Sequence, residues 1–481
     1  VQTTPSYPGP SSRKRKRSVL ASQTTDCLHG YMETSPRGSD AKRLYRNMSS
    51  TKLPSTGVTE IHDSSRSTTD EEFNDGDEFP EGGVRSWVCV LGSFIGLVGS
   101  MGILNSIGTL QSYLERNQLR DYQPGQIAWI FGVFNFLTFF FGLQIGPIFD
   151  ARGPRYLLLL GTVFILACLV SLGFCTKYWH FMLSFGVVGG TGISLIFTPC
   201  ISAVSHWFKD KRGVATGMAV AGGSLGGIVL PLVMQDLFPK VGFAWTTRVI
   251  ALICLVCAGV ACVLVASRLP KRPLSRENIL PDLKIFRDRK LTLTTMSVFF
   301  IDWGTFVPLT YISSYAIAHG VDESTAFKLV AVLNAGSFLG RWLPGYVADI
   351  IGRFNTLVIT VGLCFLSTVA LWLPAGDSLA MMAAYSAVFG FASGGNISLT
   401  PVCVGQLCDT KDYGRYYATS YTIVSFGTLT GIPIAGEILH RCNGNFWGLI
   451  TFTSCSYAMG LICAWCVKVL HCGWKKPFAV Y

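Results

Sequence analysis

Long apolar runs separated by short polar loops fill the chain from Trp87 to about residue 470. A helix needs about 20 apolar residues to cross the ~30 Å core of a bilayer, and twelve runs reach that length. They lie at 87–110, 126–148, 156–175, 180–204, 213–236, 245–267, 292–316, 326–347, 355–374, 379–404, 416–437 and 445–469. The pattern predicts an all-α membrane protein with twelve transmembrane helices. It excludes a soluble multidomain enzyme and a small secreted domain held by disulfides.

The runs fall into two groups of six, which predicts five segments. They are an N-terminal cytosolic tail (1–85), an N-terminal six-helix half (86–267), a central cytosolic loop (268–291), a C-terminal six-helix half (292–470) and a short cytosolic tail (471–481). The first tail is rich in Ser, Thr, Pro and charged residues, so it cannot bury enough apolar surface to fold, and we expect it to be disordered. It contains no apolar stretch typical of a signal peptide.

The distribution of charge orients the chain in the membrane. Charged residues make up only 14% of the sequence, with 39 Lys and Arg against 28 Asp and Glu. The bases concentrate in the central loop and after the second, fourth, eighth and tenth runs, so the positive-inside rule places both termini in the cytosol. We expect a multi-pass protein of the plasma membrane, surrounded by lipid bilayer. The basic stretch at 13–17 fits an anionic lipid surface better than a nucleic-acid partner, and no accessory subunit can be identified.

Two motifs recur about 200 residues apart, each at the same place in its half. Gly-x-x-x-Asp-x-x-Gly ends the second and eighth runs, and Arg-x-x-Ala-Thr opens the fifth and eleventh. Glycine allows close approach of helices, and an Asp–Arg contact on one side of the membrane would hold one conformation closed. The residues that we assign to gating are Gly146, Asp150, Arg152, Gly153, Arg155, Arg212, Gly345, Asp349, Arg353 and Arg415.

The repeated motif resembles the signature loop of the major facilitator superfamily, whose members have two parallel six-helix halves. Two stretches are similar to signature motifs of the monocarboxylate transporter family. They are the segment from Glu81-Gly82-Gly83 to Trp87 and the segment 207–227. The long Ser-rich tail resembles that of fungal members. The resemblance implies the major facilitator fold and transport of a small molecule, a carboxylate, by alternating access. It implies no cofactor.

Ionisable residues inside apolar runs are costly, so each is a functional candidate. Arg341 matches the arginine with which monocarboxylate transporters hold the substrate carboxylate, and its planar guanidinium suits bidentate binding. The alternatives for Arg341 are an internal ion pair and a structural contact with Asp349 on the cytoplasmic side. Asp302 lies near the middle of the seventh run, at a depth similar to that of Arg341. We expect the two to pair without substrate, and protonation of Asp302 to free Arg341 for an anion.

Two positions depart from the pattern of the animal monocarboxylate transporters. Asn105 replaces a lysine, and Ser337 replaces an aspartate one turn before Arg341. In the animal proteins that lysine and that aspartate serve proton and substrate coupling. The departures favour a larger or less acidic substrate, or a different coupling scheme. The predicted substrate-binding residues are therefore Arg341, Asn105, Ser337 and Asn396, the last in a Gly-rich stretch of the tenth run.

Three functional hypotheses follow. The first is a secondary active transporter of small organic anions, with proton coupling as one option. The second is an exporter of a fungal secondary metabolite. The third belongs to another class, a nutrient receptor that keeps the transporter fold without transporting. The sequence has no Ser/His/Asp set, Walker loop or metal-binding cluster, so we expect neither an enzyme nor an ATP-driven pump, and no metal site.

Overall fold

A computed structural model gives the fold for residues 82–208, 211–268, 283–408 and 413–473. These ranges form helices joined by short turns, with no strand among them, so the all-α prediction is confirmed there. The described ranges belong to one compact unit. The predicted tail up to residue 81, the central loop from 269 to 282 and residues 474–481 lie outside the described part.

Twelve helical segments follow one another through the described ranges. They are α1 (Val84–Arg116), α2 (Pro124–Arg152), α3 (Pro154–Leu172), α4 (Tyr178–Ser205), α5 and α6 (together Arg212–Leu264), α7 (Arg289–Ala318), α8 (Glu323–Ile351), α9 (Arg353–Trp372), α10 (Leu379–Gln406), α11 (Tyr413–Arg441) and α12 (Trp447–Cys472). Helices α5 and α6 meet at Gly242, where φ is 75°. A short 3₁₀ helix, Leu283–Arg287, precedes α7.

The helix bounds correct part of the predicted map. Helix α1 begins at Val84, inside the predicted tail, and the 3₁₀ helix and the start of α7 occupy the end of the predicted central loop. Within the described ranges, nine helices are long and apolar enough to cross a membrane; α5 and α6 count as one, and α7 and α8 are not among them. Twelve crossings and the two-half division therefore stay predictions.

The bundle has two ends. We call the end where α1 begins and α12 ends the terminal end, and the other the opposite end. Lys290 Nζ at the start of α7 and His471 Nδ1 near the end of α12 are 2.9 Å apart at the terminal end. At the opposite end, Asp322 caps α8 by accepting a hydrogen bond from the Thr325 backbone N–H at 2.9 Å, and this bonding holds the pKa of Asp322 below its ordinary value.

The repeated glycines occupy equivalent tight turns at the terminal end. Gly153, with φ 82°, is the single residue between α2 and α3, and Gly352, with φ 97°, is the single residue between α8 and α9. A side chain opposes such positive φ values, so both positions require glycine. The motif that recurs in the sequence therefore marks the same backbone turn twice in the fold.

Glycine faces bring α1 against α5 and α8 against α10. A Cβ added to Gly226 of α5 would collide with the Val98 carbonyl oxygen and lie 2.7 Å from the Cα of Gly102, both in α1. A Cβ added to Gly340 of α8 would collide with the Phe391 carbonyl oxygen of α10. The backbones are close enough that only glycine fits, as at membrane helix interfaces built from small residues.

We expect Gly226→Leu to lower the midpoint of thermal unfolding of the purified protein sharply, because overpacking a tight contact costs about 1–3 kcal/mol or more. Fluorescence-detected size exclusion after heating measures this midpoint. Gly259→Leu in α6 is the matched control, since a Cβ there meets no atom within 4 Å. Equal midpoints for the two variants would contradict the packing argument.

The helix pairs that join the predicted halves include α5 with α8 and α2 with α11. A Cβ on Gly217 of α5 would lie 2.6 Å from the Arg341 carbonyl oxygen, and one on Gly132 of α2 would lie 2.5 Å from the Leu429 carbonyl oxygen. At the opposite end α1 also meets α7, with Gly108 against the Leu309 carbonyl. These contacts position the polar residues of the bundle interior.

Candidate functional site

Arg341 of α8 is 3% exposed and lies at the contact of α8 with α5. Its Nη1 donates to the Val220 carbonyl oxygen at 2.6 Å, and its Nε donates to Ser337 Oγ at 3.3 Å. Its other terminal nitrogen, Nη2, has no hydrogen-bond partner within the described residues. A buried guanidinium that two protein acceptors fix in place, with one nitrogen still available, is suited to bind an anion.

Polar groups from α1, α5 and α8 surround this guanidinium. Asn105 Nδ2 of α1 donates to the Gly223 carbonyl oxygen at 2.9 Å, and the Ser224 hydroxyl of α5 donates to Ser337 Oγ at 3.2 Å. A Cβ on Gly223 would lie 3.2 Å from Arg341 Nη1 and 3.5 Å from Asn105 Nδ2. Three of the four predicted substrate-binding residues therefore lie in one cluster, which we call the arginine cluster.

Asn334 also belongs to the arginine cluster, and the sequence analysis missed it. It is 1% exposed, and its Nδ2 lies 3.5 Å from the Asn105 carbonyl oxygen. A Cβ on Gly227 would lie 2.5 Å from its Oδ1. Its spacing from Ser337 and Arg341 places all three on one face of α8, and that spacing was the available signal.

Asn396 lies elsewhere in the bundle. It is buried in α10, where its Oδ1 accepts a hydrogen bond from Thr360 Oγ1 at 2.7 Å and its Nδ2 donates to Cys364 Sγ at 3.4 Å. Both partners belong to α9, so the amide joins α10 to α9 and is not brought to the arginine cluster. Its predicted role in substrate binding stays a prediction.

Asp302 of α7 is 8% exposed and lies roughly 20 Å along α7 from its start. Its predicted contact with Arg341 is not formed in this structure: within the described residues, neither a base nor a hydrogen-bond donor contacts the Asp302 carboxylate. Phe306, one turn further on the same face of α7, contacts Phe139 of α2 at a ring-centroid distance of 6.2 Å. Asp302 therefore faces the α2 side of the interior, whereas Arg341 faces α5.

Asn135 of α2 is a second residue that the sequence analysis missed. It is 0% exposed, and neither amide atom has a hydrogen-bond partner within the described residues. It lies one turn before Phe139 on the same face of α2. A buried amide without partners is costly, which makes it a candidate to bind a polar ligand.

Comparisons with known proteins identify the superfamily. The sequence profile of the Major Facilitator Superfamily matches residues 88–432. The chain belongs to the major facilitator superfamily. It therefore has the major facilitator fold and is a multi-pass membrane transporter, as the sequence analysis predicted.

The relatives are fungal transporters of this superfamily. The chain is 36% identical over 438 residues to the riboflavin transporter MCH5 of Saccharomyces cerevisiae, covering 85% of this chain and 84% of the relative. It is 35% identical over 385 residues to an MFS-type transporter of Gibberella moniliformis, covering 80% and 90%. It is 36% identical over 399 residues to the MFS-type transporter opdF of Penicillium oxalicum, covering 82% and 93%.

The predicted gating residues of this superfamily transporter gather at the terminal end. The Arg152 guanidinium lies 5.5 Å from the Tyr156 ring centroid. Gly146 has open space around it, since an added Cβ meets no atom within 4 Å, and Gly345 faces the Gly213 carbonyl oxygen, 3.9 Å from an added Cβ. The side chains that are exposed there are those of Asp150, Arg152, Arg155 and Asp349, and the half-buried ones are those of Arg212 and Arg353. Arg415 lies in the first turn of α11, and its side chain lies outside the described residues.

The alternative role for Arg341, a contact with Asp349, is not formed. Asp349 is exposed at the terminal end, whereas Arg341 is buried and bonded to Val220 and Ser337. The buried position of Arg341 in this transporter is therefore explained by the interior cluster and not by the end of α8.

If Asp150 acts in switching between conformations, as the sequence predicts, Asp150→Asn is expected to lower transport about tenfold at matched surface level without affecting folding. Uptake per molecule at the cell surface measures the effect. Asp121→Asn is the matched control: Asp121 is an exposed acid in the turn between α1 and α2, at the opposite end. Unchanged uptake by the Asp150 variant would refute the gating role.

Side chains from both predicted halves contact each other at the opposite end of the transporter. Arg116 at the end of α1 forms an ion pair with Glu323 at the start of α8, with a nitrogen–oxygen distance of 2.9 Å. Ser112 Oγ lies 3.0 Å from the hydroxyls of both Ser313 and Ser314 of α7. The sequence analysis missed these residues because their partners are about 200 positions away.

Proposed function

We propose that this chain is a secondary active transporter of small organic anions that works by alternating access. The observation that carries the proposal is the Arg341 guanidinium, 3% exposed, with Nη2 unpartnered within the described residues. Holding a charge there is costly unless an anion compensates it during the cycle. A substrate carboxylate supplies that anion, and Arg341 binds it as one arm of the arginine cluster.

Asp302 supplies the coupling in this scheme. Its carboxylate is buried and has no basic partner within the described residues, so a proton is the simplest counter-charge available to it. Proton entry at Asp302 accompanies anion entry at Arg341, so this pair of sites is neutral when empty and when loaded, whereas anion entry alone would leave one negative charge. We also propose that the chain belongs to the monocarboxylate transporter family. Both this assignment and the coupling scheme rest on the sequence resemblance.

The direction of transport distinguishes two versions of the proposal. Uptake of a nutrient acid and export of a fungal secondary metabolite use the same interior site. We place the protein in the plasma membrane with both termini in the cytosol, on the charge pattern of the loops. A receptor without flux is the alternative of another class, and it requires binding without transport.

One relative favours a second candidate substrate. The yeast protein that is 36% identical over 438 residues is named a riboflavin transporter. Riboflavin carries a flat conjugated ring system and a polar side chain, and it is uncharged near neutral pH. A flavin-like compound is therefore the second candidate beside a carboxylate.

Uptake into proteoliposomes tests both candidates together. The purified full chain is given labelled monocarboxylates and riboflavin, with and without an inward proton gradient. The proposal predicts accumulation of at least one carboxylate that the gradient increases. Binding without flux would support a receptor, and riboflavin uptake with no carboxylate uptake would replace the leading substrate class by the second.

A further inference from the structure

Four aromatic rings from both predicted halves meet in the interior beside Asp302. Phe139 of α2 is the centre: its ring centroid lies 6.1 Å from that of Phe197 in α4, 6.2 Å from that of Phe306 in α7 and 6.2 Å from that of Tyr421 in α11. We call this set the aromatic cluster. Its members approach one another at the wider end of the range for aromatic contacts.

The cluster differs from ordinary packing in two ways. Phe139 and Phe197 are only half-buried, although Phe139 contacts rings of the other predicted half, so part of each ring is not covered by protein. Tyr421 is held in place, because its hydroxyl lies 2.9 Å from the Thr400 hydroxyl of α10. Ring faces are therefore presented by side chains from four helices.

Polar groups flank the rings on the same faces. Asn135 lies one turn from Phe139 on α2, fully buried, with neither amide atom partnered within the described residues. Asp302 lies one turn from Phe306 on α7, and in the described part of the chain no base or hydrogen-bond donor contacts its carboxylate. An amide that donates and accepts beside these tilted and edge-on rings can bind the edge of a heteroaromatic ring, whose polar atoms lie in its plane.

We infer that the aromatic cluster and Asn135 bind a flat conjugated ring of the substrate, so that the transported acids are preferentially aromatic. The inference rests on the proposed function for its acid group, which Arg341 holds. The ring stacks on Phe139 and its neighbours, and Asn135 binds polar atoms on the ring edge. An aliphatic acid of the same size keeps the charge contact but loses the stacking.

Four probe compounds separate the two contributions. They are benzoate, cyclohexanecarboxylate, benzamide and cyclohexanecarboxamide, which differ in the ring, in the charge, or in both. Their binding to the purified full chain is measured from the ligand-dependent rise in the midpoint of thermal unfolding. Binding in detergent does not depend on a proton gradient or on flux, so a failed transport assay does not affect it.

The inference predicts that benzoate binds roughly tenfold more tightly than cyclohexanecarboxylate. Phe139→Leu should reduce this ratio to below about twofold while binding of cyclohexanecarboxylate changes little. The matched control is Phe140→Leu, since Phe140 packs against Phe136 and Phe426 and is not part of the cluster; it should keep the ratio. If Phe139→Leu does not fold, Phe306→Leu takes its place.

Two results would overturn the inference. One is equal binding of benzoate and cyclohexanecarboxylate by the wild-type chain. The other is equal weakening of both by Phe139→Leu, which would show that Phe139 acts only in packing. Equally tight binding of benzoate and benzamide would support the aromatic site and refute the anion proposal. A preference for acids over amides, with no preference for the aromatic ring, would support the anion proposal and refute the aromatic site.

Discussion

Arg341→Lys is expected to lower kcat/KM for an organic acid about 10- to 100-fold, with the protein still folded and at the cell surface. The range corresponds to the loss of one charge-assisted hydrogen bond, about 1.5–3 kcal/mol. Uptake of the acid at several concentrations, normalised to surface level, measures kcat/KM. Arg341→Gln, which removes the charge as well, should lose more.

The geometry explains why lysine does not replace arginine here. Nη1 and Nε of Arg341 are engaged with Val220 and Ser337, which orients the guanidinium and leaves Nη2 for the substrate. Lysine has a single nitrogen on a flexible chain, so it cannot hold the protein acceptors and the anion in the same planar arrangement. The charge would remain but its position would not be fixed.

Arg248→Lys is the matched control for this substitution. Arg248 lies near the start of α6, with its guanidinium 4.7 Å from the Trp245 ring centroid and 5.3 Å from that of Phe174. It is distant in the fold from the arginine cluster, so the conservative change should leave kcat/KM within about twofold. Full activity of Arg341→Lys would remove the anchor role and leave the substrate class open.

Asp302→Asn is expected to abolish accumulation driven by a proton gradient, a fall of about tenfold or more, while exchange of substrate across the membrane continues. The amide of asparagine has the shape of the carboxylic acid but does not gain or lose a proton in the pH range of the assay. Gradient-driven uptake and exchange without a gradient are measured on the same proteoliposomes. Their ratio reports coupling apart from folding and binding.

Asp236→Asn provides the control, because Asp236 is an exposed acid of α5 that pairs with Lys240 at 2.6 Å. It should leave both rates unchanged. If Asp302→Asn kept its full response to the gradient, the coupling role of Asp302 would be excluded. Equal loss of both rates would instead point to a role of Asp302 in folding or in binding.

The apolar pattern was sufficient to predict the helices, because a bilayer imposes a length of about 20 residues and internal backbone bonding on each crossing. The repeated glycine motif was equally informative, since Gly153 and Gly352 occupy turns whose positive φ only glycine adopts easily. Local backbone requirements of this kind can be predicted from a short stretch of sequence.

That Arg341 and Asp302 form no contact could not be predicted in the same way. Similar depth in two helices says nothing about which way each side chain points around its helix axis. Asp302 shares a face of α7 with Phe306, which contacts α2, whereas Arg341 points to α5. The direction is set by packing between helices far apart in sequence.

Asn396 and Asn135 show the same limit for uncharged polar residues. Both are buried amides, but Asn396 finds a partner in Thr360 and Asn135 finds none within the described residues. Whether an amide in a helix is satisfied depends on the neighbour that faces it. Which buried amides remain without a partner is therefore seen only when the helices are assembled.

The central claim, that this superfamily member transports organic anions, is tested most directly by counterflow. Proteoliposomes with the purified chain are loaded with an unlabelled carboxylate and then given the same labelled carboxylate outside, without a proton gradient. The account predicts transient accumulation of label for the acid, much weaker accumulation for its uncharged amide, and loss of the difference in Arg341→Gln. Absence of counterflow for every acid tested, or equal counterflow for acid and amide, would contradict it.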